Sequence, residues 1–571
     1  MKSGRSKIDV FFEKIPPLLS WTLITMPLWG GFFFPEFTAV VVIFFNIYFL
    51  YKSVSITIFV IISSIKLRKN ESIDWLTRLR EIDTPETYLN GLKNKLLLIE
   101  NERFSSRISN AHSHDDYLLK IIRSRMPVFL KRFLFDRSKA KARNFIKSEI
   151  KRIESIGNYQ LFEDWKEIQH IVIIPHWKEP YHVLEATVER LKNSNYPTKN
   201  ISIVMAAEAR DEEGIEKSKK LKMLYGKYFN KFWVTSHVMQ TGDLIGKSSN
   251  MAYASKEVYR EVINLGWDLK KTTITSCDAD SQLPSDYFAN LTYFFIFEPD
   301  RIYKYYTGAV QLYANIWRLP FFARVKNSMS TIYNVGRLVR TDKLVPFSTY
   351  TTSFWLINKI GFWSADIIPE DFHTFFKGLF AFPDKVSTVP IYQKILSDAA
   401  EGEGTIDTIK NNYFQERRWS WGISDDGWIL KNMIKGIIKG KFTIRMIYLS
   451  LHIIFDHVAG VGLAFLVSLG GTIPLLINPR FANTILGFNL PIASELIVRI
   501  TMLFLVIMII TDSFLKPTMG TKPTIFKRIL LALEWLIQPV VGLFMVTLPG
   551  FEAHTRLLFG KYLEYYLTKK K

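Results

Sequence analysis

The chain's 571 residues, 48% hydrophobic and 22% charged, exceed one ordinary core and suit a membrane protein that carries a sizeable water-facing part. With 74 Lys and Arg against 53 Asp and Glu, the formal charge of +21 favours phosphate-rich partners: nucleic acid, an anionic membrane surface or nucleotide substrates. A single cysteine, Cys277, excludes an internal disulfide framework and a Cys-based zinc site.

Residues 1–66 hold a short basic stub and two apolar runs, Pro17 to Phe34 and Phe37 to Ile65. A membrane span takes roughly 20 apolar residues. The turn between the runs, Pro35-Glu36, lacks Lys and Arg, whereas Lys2, Arg5, Lys7 and Lys14 precede them and "KLRK" (66–69) follows. Positive charge on both flanks predicts a hairpin with both ends in the cytoplasm. No small-residue cleavage site closes the first run, so a cleavable signal peptide is not expected.

Residues 67–165 alternate apolar and charged positions at helical spacing and read as a helical, basic cytosolic segment. Lys120 to Arg152 is the most basic part and could touch phosphate or membrane, or be a solvated helix face. His112 and His114 in "NAHSHDD" are a loop pair that needs no metal.

From His170 the texture changes. "HIVIIP", "ISIVMA" and "TTITSC" are short β-branched runs, each followed by polar residues and a helical pattern. That alternation predicts an α/β fold with a buried parallel sheet. Ligands of such sheets bind beyond the carboxyl ends of the strands. Asp278 and Asp280 follow "TTITSC" directly, and two carboxylates one residue apart can converge on Mg²⁺ or Mn²⁺. Alone, Asp-x-Asp is as compatible with a surface turn.

Past the sheet, "GWILKNMIKGIIKGKFTIR" repeats lysine at 431, 435 and 439, one stripe of a helix. Residues 426–445 are expected to lie in the membrane interface or to pack on the soluble part. Residues 446–550 carry three further apolar runs, Met446 to Ile477, Leu496 to Leu515 and Ile529 to Leu548, and 551–571 is a basic tail. Three full crossings would put that tail outside, yet Arg556, Lys561 and Lys569 to Lys571 argue for inside. Either the run containing Pro539 is re-entrant or interfacial, or the first run crosses twice.

Five segments, "IVIIPHWKEP" (171–180), "GKSSN" (246–250), "CDADS" (277–281), "PEDFH" (369–373) and "QERRW" (415–419), stand in the order and rough spacing of membrane-bound family 2 glycosyltransferases. The chain resembles the branch that includes cellulose and hyaluronan synthases over residues 166–425. The resemblance implies a GT-A type, Rossmann-like, nucleotide-sugar-binding domain at 166–425, flanked by transmembrane helices. It implies donor binding by Glu208, Asp211, Lys247, Asn250, Asp278 and Arg418, with Asp278 and Asp280 holding Mg²⁺ or Mn²⁺. Relatives carry paired aspartates after the second strand where this chain has only Glu208 and Asp211. Asp371 falls at the general-base position with Glu370 beside it, though an acid before "FHTFFKG" is also a natural helix start. Gln415 and Trp419 would meet the acceptor, and Arg418 could grip the departing diphosphate through paired hydrogen bonds. "PFSTYTTSFW" (346–355) falls where the family lines its acceptor channel, in different wording.

The implied activity is inverting transfer from a nucleotide-sugar, a UDP-sugar above all, to a polysaccharide or lipid-linked acceptor, with single or processive addition left open. The implied setting is the plasma membrane, with a cytoplasmic catalytic domain, contacts to membrane lipids and no nucleic-acid partner. Rival readings are a nucleotide-regulated transporter and a basic membrane scaffold. The first predicts nucleotide binding without turnover; the second accounts for the charge but not for five ordered motifs.

Overall fold

A computed structural model describes residues 6–83, 85–101, 164–520 and 524–564, with scattered positions between 140 and 154. His112, His114 and most of the Lys120–Arg152 stretch lie outside the described residues. The chain packs as two compact units, one of residues 1–73, 168–288 and 302–571, the other of 74–167 and 289–301. In the smaller unit Arg78 meets Glu149 at 3.1 Å, and Tyr293 donates its hydroxyl hydrogen to the same carboxylate. A buried acid shared by a cation and a phenol is satisfied on both sides.

The larger unit is built on a seven-stranded sheet: β1 (Gln169–His176), β2 (Ile201–Glu208), β3 (Phe232–His237), β4 (Thr272–Ser276), β5 (Lys304–Gln311), β6 (Tyr350–Ser353) and β7 (Ser387–Leu396). The order is β3-β2-β1-β4-β6-β5-β7. β1 to β4 are mutually parallel where they pair, β6 runs antiparallel to both neighbours, and β5 pairs parallel with β7. β2 and β4 are buried at every residue, as expected of strands covered on both faces. From β1 the chain moves one way to β2 and β3, then returns to place β4 on β1's other side. The β1/β4 boundary is therefore a topological switch point, where open α/β sheets leave a crevice for ligands.

Among the described residues four helices are long and apolar enough to cross a membrane: Pro35–Glu71, Ile444–Leu469, Ile485–Leu515 and Ile525–Leu558. The helix Lys7–Phe33 carries three prolines and is not among them. Ser6 and Asp9 close its first turn as a reciprocal capping box. Pro35–Glu71 has 37 residues, about 55 Å of helix against a hydrocarbon core of about 30 Å. Its excess runs down along the sheet, where Asn70 donates to the Ile391 and Tyr392 carbonyls of β7 at 3.2 and 2.8 Å.

The same contacts order the helix ends. On the sheet side, Lys14 donates to the carbonyls of Leu557 and Leu558, and Arg445 to that of Val386. At the other end, Asn478 donates to the carbonyl of Gly31 at 3.4 Å. The helix Ile525–Leu558 is held on the sheet side twice, by Arg324 on Glu534 at 2.5 Å and by Arg417 on Glu552 at 2.7 Å. It passes between them through a 3₁₀ turn (Glu534–Ile537) and a π-helical stretch (Leu543–Thr547). Ends held on one side fit the re-entrant path expected of the run containing Pro539, in which the basic residues after it would need no exception to the positive-inside rule. Cysteines placed at Glu261 and Lys561 are expected to react with an impermeant maleimide from one side of the membrane, and one at Asn483 from the other. Cys277 is buried and adds little background. Opposite labelling of the Glu261 and Lys561 positions would exclude this path.

Candidate active site

A cavity of about 730 Å³ opens at the carboxyl ends of β1, β2 and β4. Lys247, Asn250, Asp278, Asp280, Glu370, Asp371, Gln415, Arg418, Trp419 and Glu208 all line it. Of the expected site residues only Asp211 is not part of the lining. It caps the helix Glu212–Tyr225, one oxygen accepting the Gly214 amide at 3.1 Å and the other the Lys178 amide at 2.7 Å. Both oxygens of that carboxylate are thus engaged by backbone.

Three segments far apart in sequence meet at one ammonium. Lys247 opens the helix Lys247–Asn264 after Gly246, whose φ of +128° lets the chain turn sharply into the helix. Its Nζ lies 2.7 Å from Asp278 and 2.9 Å from Glu370, and donates to the Ser348 carbonyl at 3.2 Å. Burial raises the Glu370 carboxyl above its ordinary pKa, and Lys247 opposes that rise.

Ser348 was not singled out by its sequence, yet it joins both acidic motifs. Its hydroxyl donates to Asp278 Oδ2 at 2.5 Å, and its amide donates to Asp371 Oδ2 at 3.0 Å. The residue holds φ +59°, a left-handed conformation uncommon for a serine. Asp371 sits in the first turn of the helix Glu370–Ala381, so the acid both suits the helix dipole and faces the cavity.

Asp280 is buried and accepts the Asp398 amide at 2.8 Å. Two carboxylates at one strand end suit Mg²⁺ or Mn²⁺, which takes one or two protein carboxylates and completes its shell with water and phosphate oxygens. Among the described residues no cluster of three or more His, Cys, Asp or Glu forms a ready-made cage. The donor set therefore fits an ion that arrives with a phosphate ligand.

The helix Thr405–Ser420 presents Gln415, Arg418 and Trp419 on one face, since positions three and four apart align. Behind them stands Lys326, another residue the sequence reading passed over. It is fully buried, 3.1 Å from Glu416 and 3.3 Å from Gln415, with its ammonium 4.2 Å from the Trp419 ring centre. Burial lowers its pKa, and Glu416 supports the charged form. Lys326 thus braces the Gln-x-x-Arg-Trp face by cation–π contact and hydrogen bonding.

At the other wall, Glu208 ends β2, buried and paired with Arg210 at 2.6 Å, and burial raises its pKa. Arg210 stacks 3.9 Å over Trp177. His176 ends β1, and burial pushes its pKa down to about 4, so the ring is neutral. Ser218 meets its Nε2, while Nδ1 has no protein partner among the described residues.

The helix Glu370–Ala381 is tied to the helix that follows Gly422. His373 Nδ1 lies 2.8 Å from Asp425, and both are buried. Asp426, next in the chain, meets His457 at 2.9 Å. Both acids lie in the first turn of the helix Ile423–Ile438, where Lys431 also pairs with Asp9 of the first helix. Asp425→Ala is expected to cost about 1–3 kcal/mol by stranding His373. Thermal unfolding would show it, and an unchanged melting temperature would contradict the tie.

No protein-family model matches the chain, and no curated protein sequence matches it. Among solved structures it is similar to the mannosyltransferase PcManGT from Pyrobaculum calidifontis in complex with GDP-Man and Mn²⁺. That likeness has 13% identity over 61% of this chain and 87% of the other, with a TM-score of 0.38. It is also similar to S. aureus TarS, at 8% identity over 58% of this chain and 54% of TarS, with a TM-score of 0.27. GalNAc-T7 with UDP, GalNAc and Mn²⁺ gives 12% identity, 45% and 50% coverage, and a TM-score of 0.27. Likenesses this remote leave the assignment to the chain's own residues.

Proposed function

We propose that the protein is an integral-membrane, metal-dependent glycosyltransferase of GT-A type that moves a sugar from a nucleotide-sugar, a UDP-sugar above all, with inversion. The observation that carries this reading is the single cavity shared by Lys247, Asp278, Asp280, Glu370, Asp371 and Arg418 at the sheet's switch point. The nucleotide would lie along the ends of β1 and β2, against His176, Glu208 and the Trp177–Arg210 stack. Its diphosphate would reach Lys247 and Arg418. Mg²⁺ or Mn²⁺ held by Asp278 and Asp280 would supply Lewis-acid charge to that diphosphate. Asp371, fixed by the Ser348 amide, would take the proton from an acceptor hydroxyl as its oxygen bonds to the anomeric carbon. The bond from that carbon to the diphosphate breaks in the same displacement, and its electron pair leaves with the nucleotide.

The positive flanks of the first hairpin support a cytoplasmic sheet. Trp419, 39% exposed and facing the cavity, is the surface on which an acceptor sugar would stack. The test is nucleoside diphosphate release by the detergent-purified protein from a panel of UDP- and GDP-sugars with Mg²⁺ or Mn²⁺. Metal-dependent release from one donor supports the reading and identifies the sugar. Tight nucleotide binding without release from any donor, with lipid extract supplied as acceptor, would replace it with a regulatory role.

A further inference from the structure

The cavity does not end at the catalytic carboxylates. It continues between two of the membrane helices, lined there by Lys52 of Pro35–Glu71 and by His452 and Asp456 of Ile444–Leu469. Lys52 and Asp456 pair at 2.7 Å, and His452 stands 3.2 Å from the same carboxylate. Ionisable side chains in apolar helices are costly and face a polar path when they occur. Here three converge on the cavity that holds Asp371.

The charge along this arm does not balance. Three further cations line it, Arg337, Arg340 and Lys343, at the end of the helix Phe321–Arg337 and just beyond. Asp456 neutralises Lys52, and Asp342 grips Arg340 through two hydrogen bonds at 2.8 and 2.6 Å. Arg337 donates to the Val345 carbonyl at 2.6 Å and lies over the Phe347 ring, with no carboxylate partner among the described residues. Among the described residues Lys343 makes no salt bridge; burial lowers its pKa, while Asp456 and Asp342 act on it from beyond contact distance and oppose that shift. Four cations less two carboxylates leave two positive charges in a half-buried setting. An uncompensated, partly desolvated charge is expensive unless a counter-ion fills the site.

We infer that this arm of the cavity binds the phosphate headgroup of a membrane lipid, admitted between Pro35–Glu71 and Ile444–Leu469, and that this lipid is the acceptor or carries it. Two features favour a lipid over a soluble anion. The arm is walled by helices apolar enough to sit in a bilayer, and Tyr51, Ile56 and Phe59 present aromatic and aliphatic surface beside the cations. A phosphomonoester presents anionic oxygens to Arg337 and Lys343 together, and its acyl or prenyl chain can lie against that apolar wall. The inference rests on the glycosyltransferase reading for the lipid's role as acceptor, but the headgroup site stands on the arm's own geometry.

Binding is therefore measured apart from turnover. The full-length protein in a neutral detergent is titrated with a polyprenyl monophosphate, and retained lipid is counted by native mass spectrometry. The corresponding polyprenol and inorganic phosphate serve as separate arms. Parallel titration with UDP and Mn²⁺ reports the nucleotide site. Saturable retention of the lipid phosphate is expected, weakened about fivefold by Lys343→Gln and further by Lys343→Glu, with UDP binding unchanged. Lys343 makes no salt bridge, so its replacement should not unfold the protein, and Arg337→Gln provides a second probe. Equal retention of the polyprenol would show that the phosphate is not read and would overturn the site. Competition by inorganic phosphate at equal concentration would remove the lipid from the proposal. Wild-type affinity in both Lys343 variants would also overturn it. Lipid retention without nucleotide binding would leave the headgroup site standing and bring down the glycosyltransferase reading instead.

Discussion

Asp371→Asn is expected to lower sugar transfer by about 10²- to 10⁴-fold while nucleotide binding stays unchanged. The amide has the carboxylate's shape, and its carbonyl oxygen can still accept the Ser348 amide now 3.0 Å from Oδ2. Packing and the helix start are therefore kept, and only the ability to take a proton is lost. The contrast with Glu370 sharpens the test. Glu370 is buried against Lys247 and its carboxyl is shifted upward, so it is placed to shape the site rather than to face an acceptor. Glu370→Gln should then disturb donor binding more than turnover. Transfer by Asp371→Asn at the wild-type rate would remove Asp371 from the mechanism, whatever the fold.

Lys247→Met should lower stability by about 3 kcal/mol, and Mn²⁺ should recover more of that loss in the variant than it adds to the wild type. The lysine stands between Asp278 and Glu370, and its side chain is 13% exposed. Without it, the buried Glu370 and the half-buried Asp278 are left without the ammonium between them, and breaking a buried ion pair costs more than the pair contributes. A divalent ion on Asp278 supplies the missing positive charge. The pH dependence follows from the same charges. Glu370 already titrates above its ordinary range because it is buried, and loss of Lys247 raises it further. A carboxyl whose folded pKa is raised weakens the fold once pH exceeds its unfolded pKa and it must ionise in place. The variant's deficit should therefore be largest at neutral pH and shrink as pH falls toward the unfolded carboxylate range. A deficit that is flat with pH and indifferent to Mn²⁺ would mean that the lysine acts through packing alone.

Three of the four strands of the parallel half were plain in the sequence because they are continuous β-branched runs, whereas β3, "FWVTSH", was passed over. "HIVIIP", "ISIVMA" and "TTITSC" became β1, β2 and β4, with Asp278 and Asp280 at the end of the last. The other half was not. β6 has four residues, "YTTS", too few for periodicity, and β7 contains a proline and a tyrosine at positive φ. The site divides in the same way. Residues that act by chemical type, such as Lys247, Asp371 and Arg418, show in the sequence because their neighbours form motifs. Ser348 acts through a left-handed backbone, and serine gives no compositional sign of that conformation. Lys326 acts from inside a helix facing Trp419, where one lysine among several in a basic chain carries no signal of burial. Asp211 shows the converse, since an acid after a strand serves helix capping as readily as ligand binding.

The adjacent acids Asp425 and Asp426 divide their hold between His373, on the helix Glu370–Ala381, and His457, inside an apolar helix. Asn70 does the same for β7, and Arg445 for the strand's approach. Membrane proteins of this size are often cut at a domain boundary to yield a soluble half, and these ties run across that boundary. A fragment ending near residue 425 would lose Asp426 and His457 together with Arg445, which holds the approach to β7, and would loosen the seat of the helix that carries Asp371. The smaller compact unit is no free insert either, since residues 289–301, between β4 and β5, belong to it and Tyr293 there shares Glu149 with Arg78.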